Sequence, residues 1–120
     1  MQAPPNPPSL TDYAFGGIQV DGEHQGEDLI VLPDRVVRPW WRKRGHRLQL
    51  VDMEPILEAA PEVLVVGQGY FGRMKVDSSV VVEMKRRGIE LRVEWTPKAV
   101  ETYQRLRERR RVVAALHLTC

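Results

Sequence analysis

Residues 112–118, VVAALHL, are an unbroken apolar run. A strand with one wet face alternates polar and apolar residues, whereas a strand without alternation is covered on both faces. The run therefore predicts the central strand of a sheet with packed layers on either side. A second run, Val63–Val66, predicts a neighbour of the same kind. Between them, Asp77 precedes Val80, Val81 and Met84, and Thr96-Pro97 precedes Ala99, Val100, Tyr103 and Leu106. Each set predicts a capped helix with one inner stripe. Gly88 is a helix stop, and Ile89, Leu91, Val93 and Trp95 alternate with charged residues as a half-wet strand would. The C-terminal half reads β-α-β-α-β.

The N-terminal half has different punctuation. Asp21-Gly22 suits a tight hairpin turn, Leu29–Leu32 is a short apolar run, and Pro33-Asp34 turns the chain again. An antiparallel β region is expected over about 14–41. Met53, Ile56, Leu57 and Ala60 then fall on one helical face, with Asp52 as the expected cap and Pro61 as the stop. Residues 1–12, which hold Pro4, Pro5, Pro7 and Pro8, are expected to be a disordered tail, and 13–120 a single domain. A chain of 120 residues suits one core.

The net charge of +2 gives no strong overall field, so nucleic acid is not an expected partner. The one cysteine, Cys120, excludes an intramolecular disulfide and fits a reducing compartment. No stretch has the length of a membrane span, and the first residues lack the basic start and apolar run of a signal peptide. A cytoplasmic location is expected.

Three segments are candidates for function. The first is EVLVVGQGYFGRM, where Gly67, Gly69 and Gly72 have dinucleotide-fingerprint spacing. A dinucleotide site needs the glycine turn to run straight into a helix. Here Met74 and Val76 alternate with Arg73 and Lys75, which predicts extended chain before the cap at Asp77. The favoured reading is a loop whose glycines permit a sharp turn and close packing. The alternative is a binding module or enzyme for a small anionic ligand, phosphate-like or nucleotide-like, over Gly67, Gly69, Arg73 and Lys75. The second segment, RPWWRKRGHR, offers Trp40, Trp41 and Arg42 as a partner surface, since exposed aromatics and Arg are common anchors. The third, HLTC, places His117 near Cys120, a candidate reactive thiol. A metal is not expected there, because strand positions three apart point to opposite faces, and only His24 and His46 remain as further imidazoles. No catalytic group and no cofactor are assigned.

The segments FGGIQVDG, LIVLPDRVVRPWWRKRGH, PEVLVVGQGYFGRMKV, RGIELRVEWTPKAVETYQRL and RRVVAALHLTC occur in that order. Together they resemble a family of small domains of unknown function. That family includes the mammalian adipogenesis-associated domain protein and a mitochondrial respiratory complex I assembly factor. The resemblance implies a three-layer α/β domain: a central mixed sheet flanked by helices, with an N-terminal antiparallel β-hairpin region. It implies no established enzymatic activity or cofactor. It also implies that the glycine loop, with Gly67, Gly69, Tyr70 and Gly72, borders a surface pocket. Some relatives are protein-binding assembly or regulatory factors, so a non-enzymatic interaction factor is the expectation here. An unidentified protein partner is expected, and homo-oligomerisation is left open.

Overall fold

The computed structural model describes residues 7–120, so residues 1–6 of the expected tail lie outside the described residues. Strand β1 (Leu10–Ala14) begins ahead of the expected start at Tyr13. It pairs antiparallel with β2 (Gly17–Val20), which pairs with β3 (Glu23–Gln25). Asp21 and Gly22 make the β2–β3 turn with φ of 49° and 83°, the left-handed values that the Asp-Gly pair predicts.

The chain then changes sheets. β4 (Leu29–Val31) and β5 (Val36–Val37) join a five-stranded sheet with β7 (Val63–Gln68), β9 (Glu90–Glu94) and β10 (Val112–His117), in the order β5-β4-β10-β7-β9. The expected single antiparallel region over 14–41 is thus divided between two sheets. The reason lies in Leu29–Leu32, which is wholly buried. A run without a polar face belongs inside a layered sheet, not in a hairpin with one wet side.

β10 is central, as its pattern predicts. It runs parallel to β7 and antiparallel to β4, and every residue from Val112 to His117 is buried. On one face Leu10, Ile18, Val20, Leu29, Val65, Ala114 and Leu116 pack with Ala99, Val100 and Tyr103 of α3 (Thr96–Leu106). On the other, Ile30, Leu64, Val66, Val113 and Ala115 meet Ile56 of α1 (Glu54–Ala59), Val80 and Met84 of α2 (Ser78–Arg87), and Trp40. Each fully buried aliphatic side chain stabilises this arrangement by about 1.5–3 kcal/mol. A short parallel pair, β6 (Arg47–Leu48) with β8 (Lys75–Val76), flanks the second face. The result is the three-layer α/β architecture with a mixed sheet.

Several local expectations shift. Asp52 does not cap α1; it closes a preceding 3-10 turn, Leu50–Asp52, and its carboxylate accepts from the amides of Gln49 and Lys43, each at 2.9 Å. Val81 lies outside the α2 stripe and is 48% exposed. β9 is the sheet edge, so Val93 and Trp95 are exposed at its end. Thr96 is the first residue of α3 and not its cap, because its hydroxyl is engaged elsewhere.

Candidate functional site

After Gly72 the backbone runs through buried Met74 into β8, and the first turn of α2 begins at Ser78. The glycines therefore do not open onto a helix end. They make room for the chain itself. Gly69 has φ +101°, and a Cβ there would stand 2.6 Å from the carbonyl carbon of Cys120. Gly72 has φ +69° and lies beneath the Trp95 indole, closer than any Cβ would permit.

The loop amides follow the same logic. Tyr70 N–H donates to Thr119 O at 2.6 Å, and Arg73 N–H donates to Cys120 O at 3.0 Å. Gly69 N–H donates to Thr96 Oγ1 at 2.8 Å, Gly72 N–H to Gly69 O at 3.2 Å and Met74 N–H to Gln68 O at 3.0 Å. These are the donors an anion over Gly67, Gly69, Arg73 and Lys75 would need, and they hold the peptide of residues 119–120, the Thr96 hydroxyl or the loop itself. At the start of α2 stands the Asp77 carboxylate, 2.6 Å from both Ser79 Oγ and Arg47 Nη2. The Ser79 hydroxyl and then Arg47 hold that carboxyl below its ordinary pKa. An anion has no welcome there.

The basic aromatic segment also divides. Trp41 is 78% exposed, but Trp40 is buried at 5%, with its indole N–H donating to Asp52 O at 3.1 Å. Arg42 lies over the Trp40 ring, 4.6 Å from its centroid, and its side chain is 4% exposed. Arg42 Nη2 donates to Asp28 Oδ2 and Gly45 O, both at 2.8 Å. Trp40 and Arg42 are thus interior groups, and the expected three-residue surface reduces to Trp41. Beside it is a cavity of about 240 Å³, lined by Glu27, Asp28, Pro39, Trp40, Trp41, Arg42 and Gly45.

Asp28 is the residue that sequence reasoning missed. Its Oδ2 also accepts from His117 Nδ1 at 2.7 Å, and its Oδ1 from Leu118 N–H at 2.8 Å. Burial alone would raise the Asp28 pKa, but the hydrogen bonds from His117, Leu118 and Arg42 outweigh it and hold the carboxyl below its ordinary value. An ionised carboxylate can only accept, so His117 Nδ1 is the donor to Asp28, and the other ring nitrogen is Nε2. That nitrogen is buried and has no hydrogen-bond partner among the described residues.

His117 and Cys120 do come together, contrary to the expectation from strand alternation. β10 ends at His117, and residues 118–120 leave the strand, so the alternation rule stops applying there. The loop bonds to Thr119 and Cys120 turn the segment back. His46 arrives from its own loop, with its Nε2 3.6 Å from Cys120 Sγ and its ring centroid 5.5 Å from that of His117. One ligand atom from each of His46, His117 and Cys120 lies within 4.8 Å of the others.

Around the same loop is an aromatic surface. Tyr70 and Phe71 are 41% and 55% exposed, and Phe15 is 54% exposed. Their ring centroids are 5.0 Å apart for Tyr70–Phe71, 6.1 Å for Phe15–Tyr70 and 6.1 Å for Phe15–Phe71. Of these, only Tyr70 was a candidate in the sequence.

Residues 10–117 match a family described as "protein of unknown function (DUF498/DUF598)". The chain belongs to that family. A Danio rerio relative named NADH dehydrogenase [ubiquinone] 1 alpha subcomplex assembly factor 3 is 29% identical over 109 residues, which cover 88% of this chain and 61% of the relative. The chain thus spans about three-fifths of that protein's length. Among solved structures, a Xanthomonas campestris protein gives a TM-score of 0.80 at 25% identity, covering 98% of this chain and 89% of its own. A conserved hypothetical protein from Pyrococcus horikoshii gives 0.76 at 24%, covering 93% and 99%, which bears on the fold alone. The resemblance read from the ordered segments therefore holds, and so does its DUF498/DUF598 architecture. No helix among the described residues is long and apolar enough to cross a membrane.

In this DUF498/DUF598 chain the glycine loop joins two features. Its outer face carries Tyr70 and Phe71, and its backbone pins the segment that brings Cys120 to the two imidazoles.

Proposed function

We propose that this chain is a non-enzymatic protein-interaction factor of the assembly or regulatory type, and that it docks its partner on Phe15, Tyr70 and Phe71. The observation that carries the reading is that three exposed aromatic rings are in mutual contact on a surface braced by the glycine loop. Aromatic side chains supply large rigid contact areas and dominate binding hot spots, whereas scattered exposed apolar residues carry no such meaning. The assembly role in the name of the Danio rerio relative supports the same class of function. A cytoplasmic setting suits a chain whose single cysteine has no disulfide partner.

The test is a double substitution, Phe15→Ser with Phe71→Ser. Both side chains are mostly exposed, so the melting temperature should hold, since surface changes seldom exceed about 0.5 kcal/mol. Proteins cross-linked to the wild type in the producing cell should fall at least about tenfold with the variant. An unchanged set of cross-linked proteins overturns the proposal. So does a wild type that elutes as a dimer and a variant that elutes as a monomer, because the patch would then seat a second copy.

A further inference from the structure

We propose that His46, His117 and Cys120 bind one zinc-class cation through two imidazole nitrogens and a thiolate, with a fourth coordination position left open. This inference is independent of the docking surface.

The geometry is close to that of a bound metal. With Zn–N near 2.0 Å and Zn–S near 2.3 Å at tetrahedral angles, a nitrogen and a sulfur ligand stand about 3.6 Å apart. His46 Nε2 and Cys120 Sγ are separated by 3.6 Å. All three ligand atoms fall within 4.8 Å, so closing on a metal shortens any one separation by about 1.5 Å at most. The exposed His46 and the half-buried Cys120 can supply that movement, while His117 stays fixed.

The second observation is His117 itself. Its side chain is 7% exposed, and its Nε2 has no partner among the described residues. Buried polar atoms are nearly always hydrogen-bonded, and an orphan requires an explanation. A metal supplies one. The other ring nitrogen is held by Asp28 at 2.7 Å, the carboxylate–histidine arrangement that fixes a metal-binding imidazole and raises its basicity. Arg42 Nη2 stands 2.8 Å from Asp28 Oδ2 and 3.2 Å from His117 Nδ1, so its charge is paired with Asp28 on the Nδ1 side of the ring, away from Nε2.

The scaffold holds the remaining two ligands. Tyr70 N–H and Arg73 N–H fix the backbone of Thr119 and Cys120, and Lys75 N–H donates to His46 O at 2.9 Å, which ties the His46 loop to β8. Thiolate with imidazole selects zinc-class ions over magnesium or calcium, which prefer oxygen. On binding, the thiol proton leaves to solvent and the sulfur takes the metal in its place. Three protein ligands leave one position for water or for a ligand from outside, as in zinc sites that are not purely structural.

The experiment is a titration of metal-free, reduced protein with Co2+, followed by displacement with Zn2+. A thiolate-to-cobalt charge-transfer band and the strong visible bands of tetrahedral cobalt should saturate at one equivalent and vanish when Zn2+ is added. Cys120→Ser should abolish the charge-transfer band, and His46→Ala should weaken binding at least about tenfold. Neither residue belongs to the core, so folding can be verified by circular dichroism in both variants. Absence of the charge-transfer band in the wild type, or titration curves for both variants that match it, overturns the proposal.

Discussion

Thr96 shows how much one hydroxyl can organise. It is fully buried at the start of α3, donates to His117 O at 2.6 Å and accepts from Gly69 N–H at 2.8 Å. It ties the glycine loop, α3 and the end of β10 together. Replacing it as Thr96→Val keeps the shape but leaves a buried amide and a buried carbonyl unpaired. Each costs about 1–3 kcal/mol, so a loss of about 2–6 kcal/mol is expected in urea denaturation. The sequence announces Thr96 as a helix cap, since Thr-Pro is a helix start, and it cannot announce the two distant partners that claim the hydroxyl. Asp28 and His46 are illegible for the same reason. Asp28 is an acidic residue in a polar loop, and His46 lies in a run of basic ones. Only the fold brings them to His117.

At the scale of elements, the periodic signals were legible and their assignment to sheets was less so. β10 and β7 follow from runs without alternation, and α2 and α3 from their stripes and boundary residues. Leu29–Leu32 carried the same signal as β10 but stood next to hairpin punctuation, and local turn chemistry does not say which sheet a strand joins. Within β10, Ala114 faces the core that holds Ala99 of α3, opposite Val65 and Val31 in the flanking strands. Small residues on both sides let the helix lie close to the sheet. Ala114→Leu should therefore overpack this layer and cost about 1–3 kcal/mol, read as a lower denaturant midpoint with an unchanged slope.

The molecule as a whole has an alkaline limit. Tyr13 donates its hydroxyl to Leu118 O at 2.7 Å, and burial first, with Tyr70 and Asp28 adding to it, pushes its pKa up to about 12. Tyr103, whose hydroxyl donates to Pro8 O at 2.6 Å, is pushed up by burial as well. A folded-state pKa above the unfolded value of about 10 means that the native state keeps the proton longer. The stability this provides is complete below about pH 10 and drains away as the pH climbs towards the folded values. Urea midpoints measured from about pH 9 to about pH 12 should fall across that window, and Tyr13→Phe should flatten the decline. A midpoint independent of pH there would contradict the linkage. Gly69 and Gly72, finally, carry a lesson for pattern searches. The hollows they create have guests already, the backbone of Cys120 and the Trp95 indole, so scans that collect nucleotide binders by glycine spacing will gather impostors of this type. A better filter asks whether the first turn of helix follows the last glycine at once.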